Sequence, residues 1–270
     1  MTSRRHALIR LASVAALAVP GAALSAQRQS LDDPLRLAVD DALFDSGLAT
    51  SMQRAFGHDT GVAVQVLHGP ATSMLEALER GEHDAALTNA PSVEDPLDKQ
   101  GLVHDRHTIA QGDFVIVGPA ALAKPLAAGA DGVLALTRLS QAQVPFITRA
   151  DGSGTHLAEQ AMWRAARIAP APPWYVQADK NSPLIAQAVK QQACAFVERG
   201  MWLAGGAAMA GKSYRILAEG DPRMGVDIHV MRTFRAERQH PAGKLFVGWI
   251  SGKKGRELAA AHRGYRVAKS

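Results

Sequence analysis

The densest group of chemically useful side chains in this sequence is the run Arg149-Ala150-Asp151-Gly152-Ser153-Gly154-Thr155-His156. Gly152 and Gly154 let the backbone come close to a ligand, and Ser153 and Thr155 offer hydroxyls at the start of a helix. Arg149 adds a permanent charge with a planar fork of donors. Together they describe a cradle for an oxyanion or carboxylate, with Arg149 as charge partner and Ser153, Gly154 and Thr155 as donors. The plainer reading is that Asp151, Ser153 or Thr155 caps the next helix while Arg149 pairs locally. Helix caps are so common that the motif alone favours this second reading.

Three other strand-to-helix loops are candidates, because ligands of open α/β sheets sit beyond the carboxyl ends of the strands. They are Val39-Asp40-Asp41-Ala42-Leu43, His68-Gly69-Pro70-Ala71-Thr72-Ser73 and Ala178-Asp179-Lys180-Asn181-Ser182. Asp40, Asp41, Gly69, Thr72 and Ser73 would form a wall opposite the cradle. Asp40 and Asp41 suit an amine, a hydroxyl-rich solute or a cation if they face inward; otherwise they point away or cap the following helix. A doubly charged anion wants N–H, hydroxyl and Arg donors, and an ionised Asp within about 4 to 6 Å would oppose it.

Catalytic constellations are not legible. There is no Gly-x-Ser-x-Gly elbow, Gly152-Ser153-Gly154 lacks an assignable base, and phosphate-loop and dinucleotide fingerprints are absent. Adjacent Asp40 and Asp41 would point to different sides of an extended chain rather than form an acid/base pair. The single cysteine, Cys194, cannot form an internal disulfide and reads as a small core hydrophobe. His104-Asp105-Arg106-His107 has the i, i+3 spacing of a helical metal site, but reads better as a solvated turn without a further ligand. The expectation is a binding protein with no catalytic residue, no metal and no cofactor.

These loops need a scaffold, and 270 residues supply one large domain or two modest lobes, not a peptide-sized or disulfide-stapled scaffold. Short apolar runs alternate with amphipathic stretches: strands at 35–39, 62–67, 85–88, 114–119, 144–147, 195–197, 214–217 and 226–231, with helices at 46–56, 73–80, 155–167, 183–192 and 242–261. Strand followed repeatedly by helix implies an α/β fold with a mostly parallel sheet. The strong strands near 114 and 226 bracket a middle segment suited to a second lobe inserted into the first.

Residues 1–26 read as an export signal: a basic start at Arg4-Arg5, an apolar stretch from Leu8 to Leu24 broken by Pro20-Gly21, and small residues up to Ala26. Adjacent arginines allow either the twin-arginine or the general route. A soluble periplasmic protein beginning near Gln27 is expected. Removing Arg4, Arg5 and Arg10 takes 30 basic residues to 27 against 25 acidic, so the pI near 9.6 does not argue for nucleic acid.

Phe114-Val115-Ile116-Val117-Gly118-Pro119, the Thr148–His156 run with Glu159 and Trp163, Pro173-Trp174-Tyr175 and Glu219-Gly220-Asp221-Pro222 together resemble the periplasmic tungstate/molybdate-binding protein family of ABC importers. Asp45-Ser46-Gly47-Leu48 and Gly81-Glu82-His83-Asp84-Ala85-Ala86-Leu87 fit the same series, in order, over nearly the whole mature chain. The resemblance implies a two-lobed type II solute-binding fold, with lobe 1 from 30–112 plus 225–270 and lobe 2 from 113–224. It also implies closure around a small oxyanion such as tungstate or molybdate, delivery to an ABC permease in the inner membrane, and a monomer. The ligand loops depart from the family: Val39-Asp40-Asp41-Ala42-Leu43 replaces a Thr/Ser run, and Pro70 stiffens a glycine loop while removing an N–H donor. A different solute, an organic acid or a zwitterion, is therefore the rival expectation, as is a sensor that presents its closed form to a membrane receptor. Glu198-Arg199-Gly200 stands where the family has Asp-Arg-Gly and reads as an internal ion pair or hinge bond.

Overall fold

The computed structural model describes residues 31–124, 129–235 and 240–268. The export signal read at 1–26 lies outside the described residues. Among these, no helix is long and apolar enough to cross a membrane.

In chain order the elements are β1 (Leu35–Asp40), α1 (Asp41–Asp45), α2 (Leu48–Thr60), β2 (Val64–Gly69), α3 (Ala71–Glu79), β3 (Ala85–Thr88), α4 (Pro91–Lys99) and β4 (Val103–Pro119). Then come α5 (Gly132–Gln141), β5 (Phe146–Thr148), α6 (Gly154–Ala165), β6 (Tyr175–Gln177), α7 (Leu184–Gln191), β7 (Cys194–Glu198) and α8 (Arg199–Met201). A π-helical turn (Trp202–Gly206), α9 (Ala207–Ala210), β8 (Tyr214–Ala218), β9 (Gly225–Thr233), α10 (Gly243–Ser251) and α11 (Lys253–Ala261) complete the chain.

The strands join in the order β2-β1-β3-β9-β4-β7-β5-β6, with β8 also on β4. β1, β2 and β3 run parallel, as do β5, β6 and β7, while β9 and β4 are antiparallel to their neighbours. Parallel strands covered on both faces are apolar throughout. Leu35, Leu37, Ala38 and Val39 of β1 are accordingly all inaccessible. One face of the first half packs on α2, α10 and α11 through Leu48, Met52, Phe56, Phe246 and Ile250, and the other packs on α3 through Leu75 and Leu78. The second half has its own two layers, one around Phe114, Phe146 and Trp163 and one around Val115, Ile147 and Trp202.

β4 is the shared member. It pairs with β9 from Val103 to Asp113, then with β7 and β8 from Phe114 to Pro119. His104-Asp105-Arg106-His107 lies within this strand rather than in a turn. Register shifts absorb the polar run, and Arg106 turns onto Glu94 of α4 at 2.9 Å. The mixed α/β architecture matches the fold class read from the sequence.

Candidate functional site

The loop before α6 is organised by its own side chains. Gly152 has φ of +81°, a conformation that favours glycine. Asp151 Oδ1 accepts the Ser153 N–H at 2.9 Å and its hydroxyl at 2.6 Å, and Ser153 Oγ accepts the His156 N–H at 3.3 Å as the α6 N-cap. The Gly152 N–H donates to His156 Nδ1 at 3.0 Å, which assigns the proton of the neutral imidazole to Nε2. Arg149 Nε donates to Asp151 Oδ2 at 2.9 Å, so local pairing and helix capping are both present.

Across from this loop, β1 delivers Asp40 and Asp41. Asp40 is wholly buried; Oδ1 accepts the Ala42 N–H at 3.0 Å, capping α1, and Oδ2 accepts the Gly154 N–H at 2.9 Å. Asp41 meets His68 Nδ1 at 2.7 Å and Arg149 Nη2 at 3.4 Å, with the His68 ring stacked on Phe44. Gly69, opposite Asp40 in the β1–β2 ladder, is buried at the end of the strand, against Met74 of α3. Thr72 donates its N–H to Gly152 O at 3.3 Å, whereas Ser73 is exposed one residue further along α3. The structure thus brings Asp40, Asp41, Thr72, Arg149, Ser153 and Gly154 together and leaves Ser73 apart.

Three neighbours were given no binding role from the sequence, although two of them stand in the quoted motifs. Asn89, at the end of β3, is 1% exposed, and neither its Nδ2 nor its Oδ1 has a partner among the described residues. It sits against α6, where a Cβ on Gly154 would come within 1.9 Å of Asn89 Oδ1. Thr155 Oγ1 is likewise buried without a partner. The Asn89 loop is fixed by Glu94, which accepts the Thr88 hydroxyl at 2.7 Å and the Ala90 N–H at 2.8 Å. The other two are His68 and Asp45, which join Asp41 on one wall of an open cleft of about 690 Å³. Its far wall carries Arg149, Asp151, Asp179, Lys180 and the apolar Leu184, Ile185, Met201 and Met209.

Burial and charge set the protonation pattern. Burial pushes the Asp40 carboxyl up to about 6, against the N–H groups of Gly154 and Ala42 and the charge of Arg149. Burial also acts to raise Asp151, but Arg149 and the Ser153 donors outweigh it and hold the carboxyl below its usual range. Asp45 is raised by burial despite Arg149, and His156 is lowered by burial. On the core side of α6, Glu159 accepts from Trp163 Nε1 at 3.1 Å and the Tyr175 hydroxyl at 2.7 Å, and burial lifts it to about 7. α6 is therefore anchored rigidly while its first turn faces Asp40.

Two α/β halves meeting through the loops at their strand ends, with a charged cleft between them, define a two-lobed solute-binding architecture. A model of the PBP superfamily domain matches residues 25–250, and the chain belongs to that superfamily. Over 170 residues, 62% of this chain and 59% of the relative, it is 31% identical to the tungstate-binding protein TupA of Peptoclostridium acidaminophilum. The matched stretch spans between half and three fifths of the length of the curated relatives. The tungstate ABC transporter structure from Geobacter sulfurreducens superposes with a TM-score of 0.72 at 27% identity, covering 84% of this chain and 97% of that one. The tungstate-binding protein TupA from Desulfovibrio alaskensis G20 shares the fold with a TM-score of 0.69 at 24% identity, covering 88% and 100%.

Proposed function

We propose that this chain is the solute-capturing component of an ABC importer, working in the periplasm after removal of residues 1–26. It passes a small oxyanion, tungstate or molybdate first among them, to a permease in the inner membrane. The observation that carries this reading is the meeting of Arg149 and the first turn of α6 with the β1–α1 loop between the two halves. The names and folds of the relatives support it.

In this reading lobe 1 is 30–112 with 225–270, lobe 2 is 113–224, and the protein acts as a monomer without a catalytic step. Arg149 is the charge partner, Ser153, Gly154 and Thr155 are the donors, and Asp40, Asp41, Gly69 and Thr72 form the opposing wall. Asn89 joins the donors.

A second reading is favoured by the outer cleft. Its 690 Å³ holds four carboxylates, Asp41, Asp45, Asp151 and Asp179, against Arg149, Lys180 and His68. That balance and the apolar far wall suit an organic solute carrying an amine as well as an acid. A thermal-shift panel of tungstate, molybdate, sulfate, phosphate, dicarboxylates and amino acids separates the two. A solute at 1,000 times its Kd adds about 4 kcal/mol of stability. A shift restricted to tungstate and molybdate supports the first reading; a shift with an amino acid and none with any oxyanion replaces it with the second.

A further inference from the structure

We infer that Asp40 is a tethered anion: its carboxylate occupies the seat at the start of α6 that a free oxyanion needs, so capture requires Asp40 to be neutralised and displaced. The inference rests on the oxyanion reading above and adds a residue that sets when the seat is open.

The seat is built, and Asp40 fills it incompletely. α6 is twelve residues long, and its first N–H, at Gly154, points across the cleft to Asp40 Oδ2. The positive end of the helix favours negative charge there, and the carboxylate supplies it. Against Gly154 lies Asn89, whose Oδ1 faces it and whose Nδ2 and Oδ1 are both buried without a partner among the described residues, and the buried Oγ1 of the next residue, Thr155, lacks one too. Buried donors are nearly always paired. The two oxygens of Asp40 are already engaged by Ala42 and Gly154, so they leave these two donors unserved. A tetrahedral oxyanion carries four oxygens and can accept from Gly154, Thr155 and, with the Asn89 amide turned so that Nδ2 replaces Oδ1 at Gly154, from Asn89 as well.

The groups facing Asp40 make its charge conditional. Arg149, from the loop before α6, and the α1 cap N–H favour the carboxylate; Asp41 on its own loop and the deep burial oppose it. Tyr265 faces it from the C-terminal segment with its phenol neutral. An arriving dianion adds a far larger opposing charge at hydrogen-bond distance, and Asp40 then takes up one proton. The acid form exchanges an acceptor for a donor, so the same residue that excludes the anion when ionised can hold it when neutral.

Two measurements test this. Calorimetric titration of micromolar protein with molybdate or tungstate is expected to give roughly 50-fold tighter binding at pH 6 than at pH 8, as for a competent form set by a carboxyl near 6. One proton should be taken up per anion at neutral pH. Asp40→Ser keeps a side-chain oxygen for the Ala42 N–H but loses the charge and the reach to Gly154; its affinity is expected to be tight and independent of pH over the same range. Asp40→Asn, of native size, serves if the serine variant does not fold.

The second readout needs no solute: the Gly154 amide resonance of the wild type should titrate near pH 6, and that titration should vanish in Asp40→Ser. Equal wild-type affinity at pH 6 and 8, or a Gly154 amide that does not titrate, overturns the role of Asp40. Absence of oxyanion binding by wild type and both variants at both pH values overturns the oxyanion reading, and capture by displacement with it, even where Gly154 titrates.

Discussion

The Tyr265 hydroxyl lies 3.1 Å from Glu198 Oε2, joining the segment after α11 to the end of β7. The same hydroxyl lies 2.9 Å from Ser46 Oγ. Glu198 is wholly buried, its Oε1 has no partner among the described residues, and burial pushes the carboxyl up to about 8 despite the N–H of Met201 and the phenol. A neutral Glu198 can donate to the phenolic oxygen and leave the phenolic proton for Ser46. The two halves are thereby tied together at the back of the cleft by groups that are uncharged at neutral pH.

Three buried acids share this behaviour: Asp40, lifted to about 6, Glu159, to about 7, and Glu198, to about 8. Each folded value lies above the ordinary one of 3.8 for Asp or 4.5 for Glu. Between those values and pH 8 these three acids keep protons in the folded chain that the unfolded chain has lost, and they outnumber His83 and His156, which burial lowers and which act the other way, so stability falls as pH rises. Melting curves should show a higher Tm at pH 5 than at pH 8. Glu198→Gln should flatten the upper end of that decline, between pH 7 and 8.5. A wild-type Tm that climbs with pH across this window would contradict the assignment.

Tyr265→Phe keeps the ring and removes one hydroxyl from between two buried groups. Leaving Ser46 Oγ and Glu198 Oε2 short of a partner is expected to cost about 1 to 3 kcal/mol in urea unfolding. A change below about 0.5 kcal/mol, the scatter of surface substitutions, would mean water replaces the hydroxyl.

Gly154→Ala tests the closeness of the two halves. Its new Cβ would meet Asn89 Oδ1 at 1.9 Å and the Asn89 carbonyl oxygen at 2.9 Å, atoms that belong to the opposite half. Relief comes from separating the halves rather than from unfolding either. The variant is expected to fold with native circular dichroism, to be larger by small-angle scattering, and to lose solute binding. Native binding would show that the loops part easily at this point.

Arg149→Ala removes the charge facing Asp41 and Asp151. Loss of the oxyanion-induced thermal shift with an unchanged fold is expected, and Arg149→Lys should recover only part of it because the planar fork is gone. Unaltered oxyanion affinity in the alanine variant would remove Arg149 from the site.

Elements built from continuous apolar runs were legible. β3 is buried throughout and β1 at every residue but Arg36, and Ala85–Thr88 stands where the run of four apolar or small residues placed it. The start of α6 was also legible, because Ser153 is a local cap whose partner is three residues away. α4 was not: it holds Pro91 and Pro96 within nine residues, and a proline inside a helix removes a hydrogen bond. Pro91 occupies the first turn, where its missing N–H costs nothing. Missing α4 hid Asn89, since its loop did not register as one running from strand to helix. The bond from Asp40 to Gly154 links residues 114 apart in sequence, and no local pattern announces it. The long polar half of β4 was equally silent: pairing with β9 imposes the strand where the residue types suggest a turn.

β4 changes partners between Asp113 and Phe114: its ladder to β9 ends on one residue and its ladder to β7 begins on the next. The chain crosses between the halves here and again at the start of β9, whose Gly225 pairs with Asp113, so the two crossings lie side by side. Beside these crossings the Arg199 guanidinium grips both oxygens of Asp113 at 2.8 and 2.7 Å and holds Glu219 at 2.7 Å, next to the bond from Tyr265 to Glu198. Any movement of one half against the other therefore works against three charged side chains and the neutral Tyr265 tie, all of them outside the loops that meet at Gly154.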